Sequence, residues 1–135
     1  MKRICIDNDT IQRLRRAAVA AQRRAYAPYS RFKVGAAVLA GSGQIYAGGN
    51  VENASYGLTI CAERSAVCAA VAAGEKSLRA LLIVATGAVP PCGACRQVLA
   101  EFAGPDCPVY LTAPTARTAI QQLRLGELLP MAFKL

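Results

Sequence analysis

Leu78-Arg79-Ala80-Leu81-Leu82-Ile83-Val84-Ala85, followed after a short connection by Pro91-Cys92-Gly93-Ala94-Cys95, decides the reading of this chain. The first phrase is an apolar run suited to a strand buried on both faces, as in sheets whose strands are joined by helical crossovers. The second opens a helix over Cys92–Phe102, which Gly104 and Pro105 close. Upstream, Cys61–Ala73 is rich in Ala, carries apolar residues at helical spacing and meets its stop signal at Gly74. Lys33–Ala40 and Gln44–Gly49 are short apolar runs joined by Gly41-Ser42-Gly43, the turn chemistry of an antiparallel hairpin. A polar loop, Asn50–Thr59, connects the hairpin to the Cys61 helix. At the N-terminal end, Ile11–Tyr26 predicts a helix capped by Asp9 or Thr10, with Ile11, Leu14, Ala18 and Ala21 on one face and Pro28 ending it. Downstream, Val109–Thr112 is a short strand, Ala116–Ala119 a weaker strand or turn, and Gly126–Pro130 part of a last helix or loop. Helices alternating with strands predict an α/β sandwich, a mixed sheet covered by helices.

The composition narrows the chemistry. A chain of 135 residues with a hydrophobic fraction of 54% reads as one domain, residues 1–135, able to bury a proper core. No apolar stretch approaches the ~18 residues of a membrane span, and no basic start followed by an apolar run and a cleavage site is seen, so a cytoplasmic protein is expected. In that compartment the six cysteines read as reduced thiols rather than a disulfide framework. Sixteen basic against eight acidic side chains give a net charge of +8, which raises nucleic acid as a partner. Five arginines on the first helix, however, read as pointing in several directions with few aromatics between them, so neither nucleic acid nor membrane is expected as a partner. The chain has no histidine, which removes every imidazole base, imidazole metal ligand and Ser-His or Cys-His nucleophile pair.

Chemistry must come from Cys, Glu, Asp or Lys. The Cys92/Cys95 pair and the remote Cys61 supply three thiolates to one Zn²⁺ and leave its fourth tetrahedral position open, the design of a catalytic rather than a structural zinc site. Both cysteine phrases open helices, where unpaired N–H groups and the positive end of the helix dipole favour thiolates. Three thiolates on a divalent ion leave surplus negative charge, and Arg64 is the candidate to offset it. Glu63, two residues past Cys61, lies near the metal without binding it and suits a general acid/base that moves protons between water and substrate. A closed four-cysteine knot fails on geometry, because Cys68 is two helical turns beyond Cys61. A redox C-x-x-C explains neither Cys61 nor Glu63.

The combined pattern resembles the homotetrameric, Cys-type cytidine deaminases. The similarity runs from Tyr29-Ser30-Arg31-Phe32-Lys33-Val34-Gly35-Ala36-Ala37 through Asn50-Val51-Glu52-Asn53-Ala54-Ser55-Tyr56-Gly57-Leu58-Thr59-Ile60-Cys61-Ala62-Glu63-Arg64 and Pro91-Cys92-Gly93-Ala94-Cys95-Arg96-Gln97-Val98-Leu99 to Leu128-Leu129-Pro130 and Phe133, nearly the whole chain. It implies a three-layer α/β/α sandwich with a mixed five-stranded sheet. It also implies one Zn²⁺ per chain on Cys61, Cys92 and Cys95, with Glu63 as the proton shuttle. Asn50 and Glu52 match the pair that hydrogen-bonds the ribose 3′-hydroxyl, and Phe32 matches an aromatic against the base. Backbone around Ala54, Tyr56 and Phe133 match groups that a neighbouring subunit offers to the site. The activity implied is hydrolytic deamination of cytidine and 2′-deoxycytidine to the uridine nucleosides with release of ammonia, in pyrimidine salvage. Blasticidin-type deaminases share the three-cysteine site, but the Asn50-Val51-Glu52-Asn53 phrase fits an ordinary ribose better. Polynucleotide editors of the H-x-E type need a histidine ligand that this chain does not have.

Overall fold

The computed structural model of the chain describes residues 4–115 and 117–135. Helix α1 (Asn8–Arg23) is followed by the hairpin β1 (Gly35–Ala40) and β2 (Ile45–Gly49), a 3₁₀ turn at Tyr56–Leu58, α2 (Ala62–Ala72), β3 (Leu78–Val84), α3 (Gly93–Phe102), β4 (Pro108–Thr112), β5 (Gln121–Arg124) and α4 (Leu125–Leu128). The five strands form one sheet in the order β2-β1-β3-β4-β5. The β3–β4 pair is parallel, with Leu81 opposite Val109 and Val84 opposite Thr112, and the β1–β2, β1–β3 and β4–β5 pairs are antiparallel, so the sheet is mixed, as expected.

Strand alternation sorts the core into two faces. Ala36, Val38, Leu81, Ile83, Val109 and Leu111 pack with Ala62, Ala66 and Ala70 of α2 and with Leu99 of α3. Ala37, Leu39, Leu82, Val84 and Tyr110 turn the other way, onto Leu14 and Ala18 of α1. The result is three layers: α1, the sheet, and α2 with α3. In β3 every residue except Arg79 is buried, which explains why its sequence reads as an uninterrupted apolar run.

Small residues set how closely the layers approach. A Cβ on Gly48 of β2 would lie 2.6 Å from Ser65 Cβ and 2.7 Å from Ala66 N, so α2 rests directly on the strand backbone there. A Cβ on Gly35 would collide with the Ala18 carbonyl on the opposite face, which seats α1 in the same way. Gly43 turns the hairpin with φ +92°, a conformation that glycine adopts without strain.

Three expectations change. Helix α1 starts earlier than Ile11 because its cap is Asp7, not Asp9 or Thr10, with the Asp7 carboxylate accepting from Thr10 N at 2.8 Å. It ends before Tyr26 because that residue's N–H donates to Asn50 O at 2.9 Å while its carbonyl accepts from Glu52 N at 2.8 Å, a tertiary pairing that replaces the next helical turn. The fifth strand is not at Ala116–Ala119 but at Gln121–Arg124, where pairing with β4 defines it; Ala116 itself lies outside the described residues. The α1 arginines also divide. Arg15 donates to the Ala113 and Thr115 carbonyls at 3.1 and 2.6 Å, whereas Arg13, Arg16, Arg23 and Arg24 are exposed and share one stripe by helical spacing.

Candidate active site

The site is built where two helices begin. Cys61 is the residue before α2 and Cys92 the residue before α3, both with extended backbone (ψ 153° and 166°), and neither side chain caps its own helix. Their sulfurs are therefore free to face each other. Cys95 sits in the first turn of α3, one turn from Cys92. Sγ of Cys61 lies 3.9 Å from Sγ of Cys92, which lies 3.4 Å from Sγ of Cys95, and all three sulfurs fall within 4.8 Å of one another. Zn–S bonds of about 2.3 Å in a tetrahedron place sulfurs about 3.8 Å apart, so this trio has the dimensions of three zinc ligands with one position left over.

The neighbouring charges suit that occupant. Arg64 Nη2 donates to Cys61 Sγ at 3.5 Å and to the Thr59 carbonyl at 3.4 Å, while its buried Nε has no hydrogen-bond partner. Contact with the Cys61 sulfur raises the guanidinium pKa still further, so the arginine remains a fixed positive charge. Cys61 is the acidic thiol of the trio, falling to about 5 because Cys95 hydrogen-bonds its sulfur, with Arg64 and Cys92 adding to the effect against the cost of burial. Cys95 moves the opposite way, chiefly because it is the donor to Cys61. With only protons to share, Cys61 and Cys95 hold one between them, which a metal ion bound there would displace.

Glu63 follows Cys61 into the first turn of α2 and is only 6% exposed. Burial pushes its pKa up, opposed in part by its own backbone N–H and by Cys95. A carboxyl held above its ordinary range exchanges protons more readily near neutral pH.

Glu63 and Cys61 line a cavity of about 270 Å³ together with Phe32, Asn50, Glu52 and Ser30, and with Val34, Thr59, Ala62, Ile83, Val89 and Pro90. Phe32 is 40% exposed at its rim. Asn50, 8% exposed, is engaged on both sides of its amide: Oδ1 accepts from Val34 N and Nδ2 donates to Phe32 O, each at 2.9 Å. Glu52 accepts at Oε1 from Tyr29 N (2.9 Å) and Ser30 N (3.1 Å), and at Oε2 from the Ser30 hydroxyl. The Ser30 contact is the main reason its pKa is lowered. Arg96 ties the start of α3 to the end of α4, donating from Nε to the Pro91 carbonyl at 2.7 Å and from Nη1 to the Leu128 carbonyl at 2.8 Å.

Five of the sequence-derived residues thus line one cavity, Cys61, Glu63, Phe32, Asn50 and Glu52, and Cys92 and Cys95 join it through their contact with Cys61. Arg64 adjoins them. Ala54, Tyr56 and Phe133 do not line the cavity of their own chain; Ala54 is exposed, Tyr56 is 76% and Phe133 68% exposed, and the Phe133 carbonyl is held by Gln97 Nε2 at 3.2 Å. Sequence reasoning missed Ser30, Thr59 and Ile83 as cavity residues. For Ser30 the available signal was a hydroxyl two residues before Phe32 in a loop, but its partner is 22 positions away.

Comparison with known proteins agrees with this geometry. Residues 8–111 match the family model described as the cytidine and deoxycytidylate deaminase zinc-binding region. The chain is 51% identical over 115 residues to a cytidine deaminase of Sporosarcina psychrophila, covering 84% of this chain and 83% of the relative. It is 49% identical over 124 residues to that of Halalkalibacterium halodurans, covering 90% and 92%. Among solved structures, the cytidine deaminase of Burkholderia pseudomallei superposes with a TM-score of 0.83 at 47% identity, covering 90% of this chain and 98% of that one.

Proposed function

The chain belongs to the cytidine and deoxycytidylate deaminase zinc-binding family, and from that premise we propose that it is a cytidine deaminase, acting on cytidine and 2′-deoxycytidine to give uridine and 2′-deoxyuridine with release of ammonia. The observation that carries this reading is the meeting of three sulfurs within 4.8 Å of one another, one of them, Cys61, lining a cavity together with Glu63. Cys61, Cys92 and Cys95 would hold the zinc, and Arg64 would offset the surplus charge of three thiolates. Bound there, zinc supplies the Lewis acidity that makes a water nucleophilic near neutral pH.

The protein's own groups do the rest. Glu63 takes a proton from the attacking water and delivers it to the ring nitrogen of the cytosine, then takes the second proton from the hydroxyl now on the ring carbon and passes it to the amine, which departs as ammonia. Its buried setting, which favours the protonated form, supports both halves of that cycle. Phe32 lies against the base at the rim, and Asn50 and Glu52 receive the sugar hydroxyl, which both donates and accepts. The domain spans residues 1–135, works in the cytoplasm and serves pyrimidine salvage. Among the described residues no helix is long and apolar enough to cross a membrane.

The active form is a homotetramer. Exposed Tyr56, Leu58, Met131 and Phe133 support it, since a lone chain leaves these large apolar groups in water. Backbone around Ala54, Tyr56 and Phe133 then reach neighbouring sites. Replacement of Glu63 tests the chemistry: Glu63→Gln retains zinc, because the residue is not a ligand, and turnover of cytidine falls by about 10² to 10⁴. Turnover near that of the wild type removes Glu63 from the mechanism.

A further inference from the structure

Ser30 stands between the two residues assigned to the sugar and the one assigned to the base. Its hydroxyl donates to Glu52 Oε2 and accepts from Phe32 N at 3.0 Å, while its backbone N–H and that of Tyr29 donate to Glu52 Oε1 at 3.1 and 2.9 Å. The turn that delivers these donors holds Arg31 at φ 58°, a left-handed conformation uncommon outside glycine, and closes with Arg31 N donating to Ala27 O at 3.0 Å.

An ionised carboxylate offers about four lone-pair sites. Three of those on Glu52 are filled by this one turn. Asn50 is left in a complementary state: its two bonds to the Phe32–Val34 strip leave one amide hydrogen and one lone pair. What remains on the cavity wall is one acceptor site on Glu52 and one donor and one acceptor on Asn50, and a single hydroxyl satisfies the first two by donating to Glu52 and accepting from Asn50. A ligand without that hydroxyl leaves both groups unpaired, which is the costly arrangement.

We propose that Ser30 is a positioning residue for sugar recognition: its hydroxyl fixes the Glu52 carboxylate as an oriented acceptor, so that the site demands a substrate carrying a free hydroxyl able to donate. This rests on the assignment of Asn50 and Glu52 to the sugar. It goes further in naming the group that sets their selectivity. Ser30 acts through Glu52 and has no part in the proton transfers, so its loss raises KM and leaves kcat nearly unchanged.

The experiment compares cytidine with 3′-deoxycytidine on the zinc-loaded wild type and on Ser30→Ala and Ser30→Thr. The wild type favours cytidine in kcat/KM. In Ser30→Ala the preference shrinks by about 10-fold, through a higher KM for cytidine with little change for 3′-deoxycytidine, and Ser30→Thr restores it. Should the alanine variant fail to fold, Ser30→Cys, similar in size but a weak donor, gives the same reading. If both substrates lose equally and the ratio is unchanged, Ser30 only steadies Phe32 and the proposal is overturned. A wild type indifferent to the missing hydroxyl overturns the sugar-binding assignment as well, so the two failures are distinguishable.

Discussion

Cysteine environment differs sharply from residue to residue in this chain, although all six side chains are the same chemically. Cys5 and Cys68 are exposed; Cys107 is fully buried and its thiol is pushed up to about 12 by loss of hydration; the remaining three face one another. Thiolate is the reactive form, so accessibility and pKa together fix the order of modification. In the zinc-loaded, folded protein an aromatic disulfide reagent titrates Cys5 and Cys68 quickly. Cys61, Cys92 and Cys95 follow only on chelation, and Cys107 only on unfolding. Rapid modification of Cys107 in the folded chain contradicts the packing described. The Cys92/Cys95 pair and the place of Glu63 after Cys61 were legible because spacings of two and three residues at helix starts convert directly into geometry, whereas the meeting of Cys61 with Cys92, 31 positions on, was read from the chemistry of a three-thiolate site. The hold of Ser30 on Glu52 was not, since no spacing rule links two loop residues 22 positions apart.

At the scale of the elements, the site depends on how deeply α2 sits on the sheet. Gly48 sets that depth, because a Cβ there meets Ser65 and the backbone N of Ala66, neither of which is the far end of a flexible side chain. Gly48→Ala therefore lowers stability in denaturant unfolding by about 1–3 kcal/mol and lowers activity too, as Cys61 and Glu63 ride on the displaced helix. Gly104→Ala, which meets nothing within 4 Å, is the control and stays within about 0.5 kcal/mol of the wild type. A Gly48→Ala protein as stable as the control sinks this account of the helix's seating. The hairpin, β3, α2 and α3 were readable because turn glycines and apolar periodicity mark them. β5 was not: Gln121-Gln122-Leu123-Arg124 is a mostly exposed edge strand whose only definition is its pairing with β4. The ends of α1 were misplaced for a related reason, since Asp7 and the pairing of Tyr26 with the Asn50–Glu52 segment outweigh local propensity.

For the whole molecule, one chain carries the zinc-ligand geometry and the cavity, yet leaves a rim of large apolar groups uncovered. The rings of Tyr29 and Tyr56 meet edge to face at 6.1 Å on that rim. The proposed tetramer would cover such groups and bring Tyr56 to a neighbour's cavity, and on that reading Tyr56→Ala raises the KM for cytidine while zinc content is unchanged. Light scattering at assay concentration that finds a fully active monomer contradicts this. The central claim, that three thiolates and one buried carboxyl make a zinc-dependent deaminase, is tested most directly by metal analysis coupled to the fall in ultraviolet absorbance on adding cytidine. The account predicts about one zinc per chain, deamination that disappears when the metal is stripped, and its return when zinc alone is restored. A metal-free protein with full activity, or a zinc-loaded one that leaves cytidine untouched, contradicts it.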